Sequence, residues 1–192
     1  MQPTAFFFHP TKYVPNSKLP VLLYRNALPF PLEEDIVKEF LESNHWIHGG
    51  TWNAVPRHHF HPNTHECYGI AIVEGSSELL IGVGPLDSET DGEVIHVESG
   101  DVIVLPAGVS HCSKSFSHDY RYLGAYPKVI QAILLFSFIS NYATKDSLKW
   151  KNEYGRDQSR FESLASESSS VSVPDWDPVN GHLGPLSKLW TC

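Results

Sequence analysis

The sequence predicts an all-β domain, a small barrel closed around one metal site. Three observations predict it. Short apolar stretches recur with turn signals between them at close, regular spacing, the pattern of a sandwich or barrel. Only residues 33–44 carry a clear helical stripe. Two distant segments hold histidines and a glutamate at spacings that strand alternation gathers onto one face. A length of 192 residues suits one domain with its own core.

In chain order, residues 1–10 contain Phe6-Phe7-Phe8 but no basic leader, long apolar run or small-residue cleavage site, so a signal peptide is not expected. These apolar residues are expected to pack across the barrel or on a partner subunit. Residues 19–24 read as a short strand. The helix at 33–44 places Ile36, Val37, Phe40 and Leu41 on one stripe, with Glu33, Glu34 and Asp35 at the positive end of its dipole and Asn44 at its close. Its expected role is packing on the outside of the barrel. His45 and His48 follow in an expected loop with Gly49-Gly50, as surface or hydrogen-bonded histidines.

The segment His58-His59-Phe60-His61-Pro62-Asn63-Thr64-His65-Glu66 is the first half of the site. In a strand His59 and His61 point one way, His58 and Phe60 the other. Pro62-Asn63-Thr64 is turn chemistry that reorients the chain. After it, Glu66, Tyr68, Ile70 and Ile72 share a face, opposite His65, Cys67, Gly69 and Ala71. A regular strand sends only one of His65 and Glu66 inward. Glu66 is favoured because it shares its face with the larger apolar residues, and His65 is its rival. A His-Glu-x-x-His peptidase motif is excluded because the fifth position is Gly69.

Residues 76–83 read as a strand in which Leu79, Ile81 and Val83 alternate with Leu80 and Gly82. Residues 85–92 form a polar loop. Residues 93–97 and 101–105 make two strands joined through Ser99-Gly100, the second a buried run, Val102-Ile103-Val104-Leu105. Pro106-Ala107-Gly108 turns the chain out, with Gly108 expected at positive φ. That places His111 at the start of the next strand, facing the same interior. Residues 120–125 are the last barrel strand. The resulting ligand set is His59, His61, Glu66 and His111.

These residues carry a family resemblance. Gly100, Pro106, Gly108 and His111 match the spacing of the second cupin motif, and His59, His61 and Glu66 match the first. The first motif's closing Gly stands late, at Gly75, and Ser115 replaces the second motif's usual Asn. Thr51-Trp52-Asn53, Gly124-Ala125-Tyr126-Pro127 and Asp177-Pro178-Val179-Asn180-Gly181 extend the likeness to the small, single-domain YjlB-like cupins of bacteria and fungi. The resemblance implies a jelly-roll β-barrel with one N-terminal helix and a C-terminal tail that wraps back. It divides the chain into 1–50, a strand and helix packing on the barrel; 51–127, the barrel core; 128–145, an apolar insertion; and 146–192, linker and tail.

The insertion follows from that comparison, since the core of 129–143, Val129 to Ile139, has only Gln131 and Ser137 as polar members where the group runs almost directly into a polar loop. It is too short to span a membrane. It can be read as a helix over the barrel mouth, as a partner-binding stripe, or as sequence absent from the mature message. Residues 161–173, rich in Ser and Glu, read as a flexible linker. Trp176 and Trp190 then anchor the tail.

Bulk properties exclude some functions. Fourteen basic against 22 acidic residues give a net charge of −8, with no Lys/Arg cluster, so neither nucleic acid nor an anionic membrane is an expected partner. Three cysteines, Cys67, Cys112 and Cys192, do not make a disulfide framework, so a cytoplasmic protein with free thiols is expected. Alternation turns Cys67 and Cys112 away from the site. Exposed strand edges and the N-terminal phenylalanines lead us to expect a homodimer.

Three imidazoles and a carboxylate suit one divalent ion, Fe(II) favoured, with Mn(II), Ni(II) or Zn(II) compatible. Four protein ligands leave coordination positions open, as a catalytic site needs. The first expectation is an Fe(II)-type oxygenase acting on a small, partly apolar or aromatic metabolite; the resemblance to a group with fungal members implies natural-product biosynthesis. The second is a redox-neutral isomerase, lyase or decarboxylase, which needs a general base. His65 and Tyr122 are the candidate catalytic residues, with His118 a further choice. The third is a non-enzymatic binding cupin.

Overall fold

Alternating apolar residues give the main sheet two buried faces. The computed structural model describes residues 1–69, 75–128 and 150–191. The expected insertion at 129–143, the facing of Ile70 and Ile72, and Cys192 lie outside the described residues. Strands β1 (Thr4–Phe8), β2 (Ser17–Tyr24), β3 (Trp46–Asn53), β4 (Glu66–Gly69), β7 (Val102–Leu105) and β9 (Arg121–Pro127) form one antiparallel sheet in the order β1-β2-β7-β4-β9-β3. Strands β5 (Ser76–Ile81), β6 (Glu93–Glu98) and β8 (His111–Phe116) form a second, ordered β6-β5-β8. The fold is all-β, two antiparallel sheets in a jelly-roll arrangement, as the strand spacing predicts.

Val21, Leu23, Tyr68, Ile103, Leu105 and Tyr122 face Leu79, Ile81, Ile95 and Val97 of the smaller sheet and make the interior. The alternate residues Leu22, Tyr24, Cys67, Val102, Val104, Leu123 and Ala125 face outward, yet they too are buried. This explains the unbroken apolar run of β7, a strand covered on both faces. The outer cover is α1 (Glu34–Ser43), through Val37 and Leu41 one turn apart, together with the C-terminal tail. Each such buried aliphatic side chain contributes about 1.5–3 kcal/mol.

Two expectations are corrected. His45 lies in a turn as expected, but residues 46–50 are not a loop: β3 runs through His48, Gly49 and Gly50, pairs with β9, and takes up the irregularity as a register shift between His48 and Gly50. The ladder overrides the local loop signal, and the expected boundary at residue 50 falls inside this strand. Residues 161–173 are not simply a linker: Phe161–Ser169 is helix α2. Its Ser and Glu content hides one apolar anchor. Leu164 packs against Val14 and Phe60, and Ser168 is buried one turn later.

The tail does wrap back. A two-stranded ribbon, β10 (Trp176–Asp177) and β11 (Gly181–His182), leads into α3 (Pro185–Leu189). The buried Asp177 carboxylate accepts from Tyr24 Oη (2.6 Å) and from the backbone N–H groups of Val179, Asn180 and Leu186. Trp190 is buried and donates Nε1–H to the Pro20 carbonyl at 2.8 Å. Cys67 and Cys112 are free and buried. Among the described residues, no helix is long and apolar enough to cross a membrane.

Candidate metal centre

Two segments far apart in sequence are zipped together by backbone pairing. His59 and His111 form an antiparallel bridge, each donating its N–H to the other's carbonyl (3.1 and 2.9 Å). Gly108 N–H donates to the His61 carbonyl at 2.9 Å, and Glu66 stands opposite Leu105 in the β4–β7 ladder. The pairing works because Gly108 holds φ +87°, as expected from the turn, in a niche where a Cβ would press on the Asn16 carbonyl and on Ser168. Phe60, between the two histidines, faces backwards into the cluster with Leu164 of α2. The former linker therefore supports the His-x-His segment from behind.

His59, His61, Glu66 and His111 are brought together in the interior, 9%, 4%, 3% and 2% exposed. Their ligand atoms all lie within 4.8 Å of one another. Donors about 2.1 Å from one ion stand at most about 4.2 Å apart, so little contraction separates this cluster from a coordination sphere. His61 Nε2 is 2.9 Å and His111 Nε2 3.5 Å from Glu66 Oε2.

The orientation of the rings tests whether a cation fits. His59 Nδ1 faces the Arg57 carbonyl (3.0 Å), His61 Nδ1 the Lys151 carbonyl (2.8 Å) and His111 Nδ1 the Val109 carbonyl (3.1 Å). A carbonyl only accepts, so each Nδ1 carries the hydrogen and each Nε2 presents its lone pair inward. His61 Nε2, His111 Nε2 and Glu66 Oε2 are buried without a hydrogen-bond partner. Converging lone pairs around a carboxylate oxygen repel unless a cation or extra protons lie among them. The donor set fits a divalent ion, and its chemistry does not select which one.

Electrostatics show the same demand for positive charge among these donors, met by a proton on His61 when no cation is bound. Burial, and then the neighbouring His111, push His59 down to about 3, so its imidazole is neutral. Burial pulls His61 down, but the Glu66 carboxylate beside it prevails and the net shift is upward. Burial raises Glu66, yet His61 and His111 outweigh it and hold the carboxyl well below its usual range.

Glu66 is aimed by a residue that sequence reasoning missed. Tyr126 donates its phenol to Glu66 Oε1 at 2.9 Å, while its ring stacks on Trp150 at 4.5 Å. Gly124 keeps that side of the carboxylate open, since a Cβ there would collide with Trp52 and come within 3.3 Å of Glu66 Oε1. The segment 150–154 forms the outer wall: Glu153 pairs with Phe60, and Lys151 supplies the carbonyl that orients His61. A cavity of about 210 Å³ opens above the cluster. Its aromatic walls are Trp52, Tyr122, Tyr126, Trp150 and Tyr154, and Val55, Arg57 and Asn152 complete it. Residues 150–154 carry few markers in sequence; their aromatic content, Trp150 and Tyr154, is the signal that could have found them.

Tyr122 lies in this cavity, with its hydroxyl 3.5 Å from that of Tyr68 and its ring stacked on Tyr68 at 4.1 Å. Burial, then Glu66, raise its phenol well above the usual range, so it is a neutral donor. His65 is not in the cavity, a correction to its candidacy as ligand and catalyst. Alternation sends it across the sheet from Glu66, where its Nδ1 accepts from Ala107 N–H (3.0 Å), its Nε2 meets the Ser172 carbonyl (3.3 Å) and its ring packs on Trp190. Burial lowers it to about 4, and it is a neutral structural residue. His58 faces away from the cluster and meets the Val83 carbonyl through Nδ1 at 2.9 Å. His118 is exposed and does not line the cavity.

The comparisons bear on the same site. No family model matches the chain. Over 187 residues it is 27% identical to YjlB, an uncharacterised protein of Bacillus subtilis (strain 168), across 97% of this chain and 95% of that protein. Over 145 residues it is 30% identical to a quercetin 2,3-dioxygenase of the same strain, across 74% of this chain but only 39% of the dioxygenase. With the buried His–Glu cluster, these similarities hint at the cupin superfamily.

Proposed function

We propose that the chain is a YjlB-like cupin whose His59, His61, Glu66 and His111 hold one divalent ion, and that it is an oxygenase of the Fe(II) type acting on a small aromatic or partly apolar metabolite. The convergence of unpartnered Nε2 and Oε2 atoms at the floor of an aromatic cavity carries this reading. Bound there, iron would supply Lewis acidity and a one-electron couple usable with dioxygen.

The chain's own residues supply the rest. The Arg57, Lys151 and Val109 carbonyls fix the three imidazoles in one tautomer. Tyr126 holds the carboxylate. Trp52, Tyr122 and Trp150 exclude water and offer ring faces to a planar substrate. The neutral Tyr122 phenol can donate a hydrogen bond to a substrate oxygen without taking its proton. The redox-neutral alternative is less well served, because His65 and His118 do not reach the cavity and Tyr122 is held protonated.

The proposal extends to a cytoplasmic homodimer with no nucleic-acid or membrane partner, on the grounds of its net charge of −8, its sparse cysteines and the outward Phe7 of edge strand β1. Metal analysis of the purified protein, followed by oxygen uptake with an aromatic substrate panel, tests the function. We expect near one equivalent of iron, lost in His59→Ala, and uptake that stops on chelation. Stoichiometric zinc or manganese with oxygen-independent turnover would replace this reading with the isomerase or lyase. A folded protein that retains no metal would replace it with the binding cupin.

A further inference from the structure

We propose that this cavity selects anionic aromatic substrates, with Arg57 at its mouth reading a carboxylate placed away from the reacting end. The inference rests on the reading of the cavity as the substrate site of a metal enzyme and deepens it by naming the substrate class. The charged groups of the lining are few and well separated in role. Glu66 lies buried in the floor, engaged by imidazoles and by Tyr126. Arg57 is exposed at the rim. In a chain of net charge −8, a guanidinium kept at the entrance to a cavity is a selective feature.

Arg57 is also held ready. Its guanidinium lies over the Tyr154 ring at 3.7 Å. Stacking uses the face of the group and leaves the N–H donors of its edge free for a bidentate carboxylate. Among the described residues no carboxylate pairs with it: neighbouring Glu153 is taken by Arg160 through two contacts of 2.7 and 2.8 Å. Asn152 adds an amide to the lining. Between rim and floor stand Trp52, Tyr122 and Trp150, which fit a ring. The complement of this arrangement is an aromatic acid whose oxygen-bearing end meets the His–Glu floor and whose carboxylate meets Arg57.

The test uses zinc-loaded protein, so that no redox step intervenes, and two probes that differ only at the distal group: (3,4-dihydroxyphenyl)acetate and (3,4-dihydroxyphenyl)acetamide. Binding is followed by calorimetry, and zinc content is measured in parallel. We expect the acid to bind at least tenfold more tightly than the amide. In Arg57→Gln the ratio should fall to about 1 through loss of acid binding, with amide binding and zinc content unchanged. Arg57→Lys should keep part of the preference. The backbone carbonyl that orients His59 survives both substitutions, so a structural defect would show as lost zinc rather than as a changed ratio. The same ratios are read in metal-free protein, because the carboxylate contact does not pass through the ion. A ratio near 1 in the native protein, or a ratio that Arg57→Gln leaves unchanged, overturns the inference while leaving the metal site standing. Failure to retain zinc overturns the metal site, and the metal-free ratio then decides this inference by itself.

Discussion

Replacing Tyr126 with Phe removes one oxygen and tests whether the candidate metal site depends on a residue outside its proposed ligand set. The Tyr126 phenol donates to Glu66 Oε1 at 2.9 Å and is that oxygen's donor among the described residues. Burial and Glu66 both keep it protonated and able to donate. The ring would stay stacked on Trp150, so the change leaves packing intact. A hydrogen bond to a charged group contributes about 1.5–3 kcal/mol. Loss of a partner that orients a ligand typically weakens metal affinity about 10–100-fold, or about 1.4–2.7 kcal/mol. The two ranges agree. Titration of metal-loaded protein against a chelator of known affinity, at fixed pH, should show a 10–100-fold weaker site in Tyr126→Phe with an unchanged circular dichroism spectrum. Affinity within about twofold of the native protein would refute the claim that this phenol holds the carboxylate.

His59→Ala and His61→Ala should each abolish metal retention, whereas His58→Ala, facing the Val83 carbonyl, should leave it nearly intact; equal loss in all three would mean the facing of this segment is wrong. Trp190→Ala removes a buried ring, its hydrogen bond to Pro20 and its packing on His65, and should cost about 3–5 kcal/mol in urea unfolding; a change under 1 kcal/mol would show that the tail is not part of the folded core. Stability should fall above pH 10. Burial, then the hydrogen bond to Asp177, raise the Tyr24 phenol above its usual value of 10.0, so the folded state keeps a proton that the unfolded state loses. The contribution is complete below pH 10 and is lost as pH rises beyond it, with a shift of the urea midpoint as the readout. A flat midpoint there would refute the link.

Much of the fold was legible because it is written in local periods. The strands β2 and β7, the stripe of α1 and the positive φ of Gly108 each follow from neighbours a few residues away. Two misreadings have the same origin. Gly49-Gly50 look like a loop until β9 supplies a ladder, and α2 looks like a linker until Leu164 finds Val14 and Phe60. Local propensity is worth tenths of a kcal/mol per residue, and one buried apolar anchor outweighs it.

For the site the division is sharper. By itself the sequence determined which four side chains are available as ligands, since alternation turns His59, His61 and Glu66 inward and the turn at Gly108 delivers His111. It also favoured Glu66 over its rival His65 for the inward register, and the structure places His65 on the other side of the sheet, against Trp190. Only the tertiary structure decided how those ligands are held. The groups that orient the imidazoles are backbone carbonyls of Arg57, Val109 and Lys151, and a carbonyl carries no residue identity to read. Tyr126 and Trp150 reach the site from another strand and from the segment 150–154, across separations that no local period spans. The physical reason is the range of the interactions: alternation acts over two residues, whereas a hydrogen bond acts over 3 Å of space whatever the length of chain between its partners.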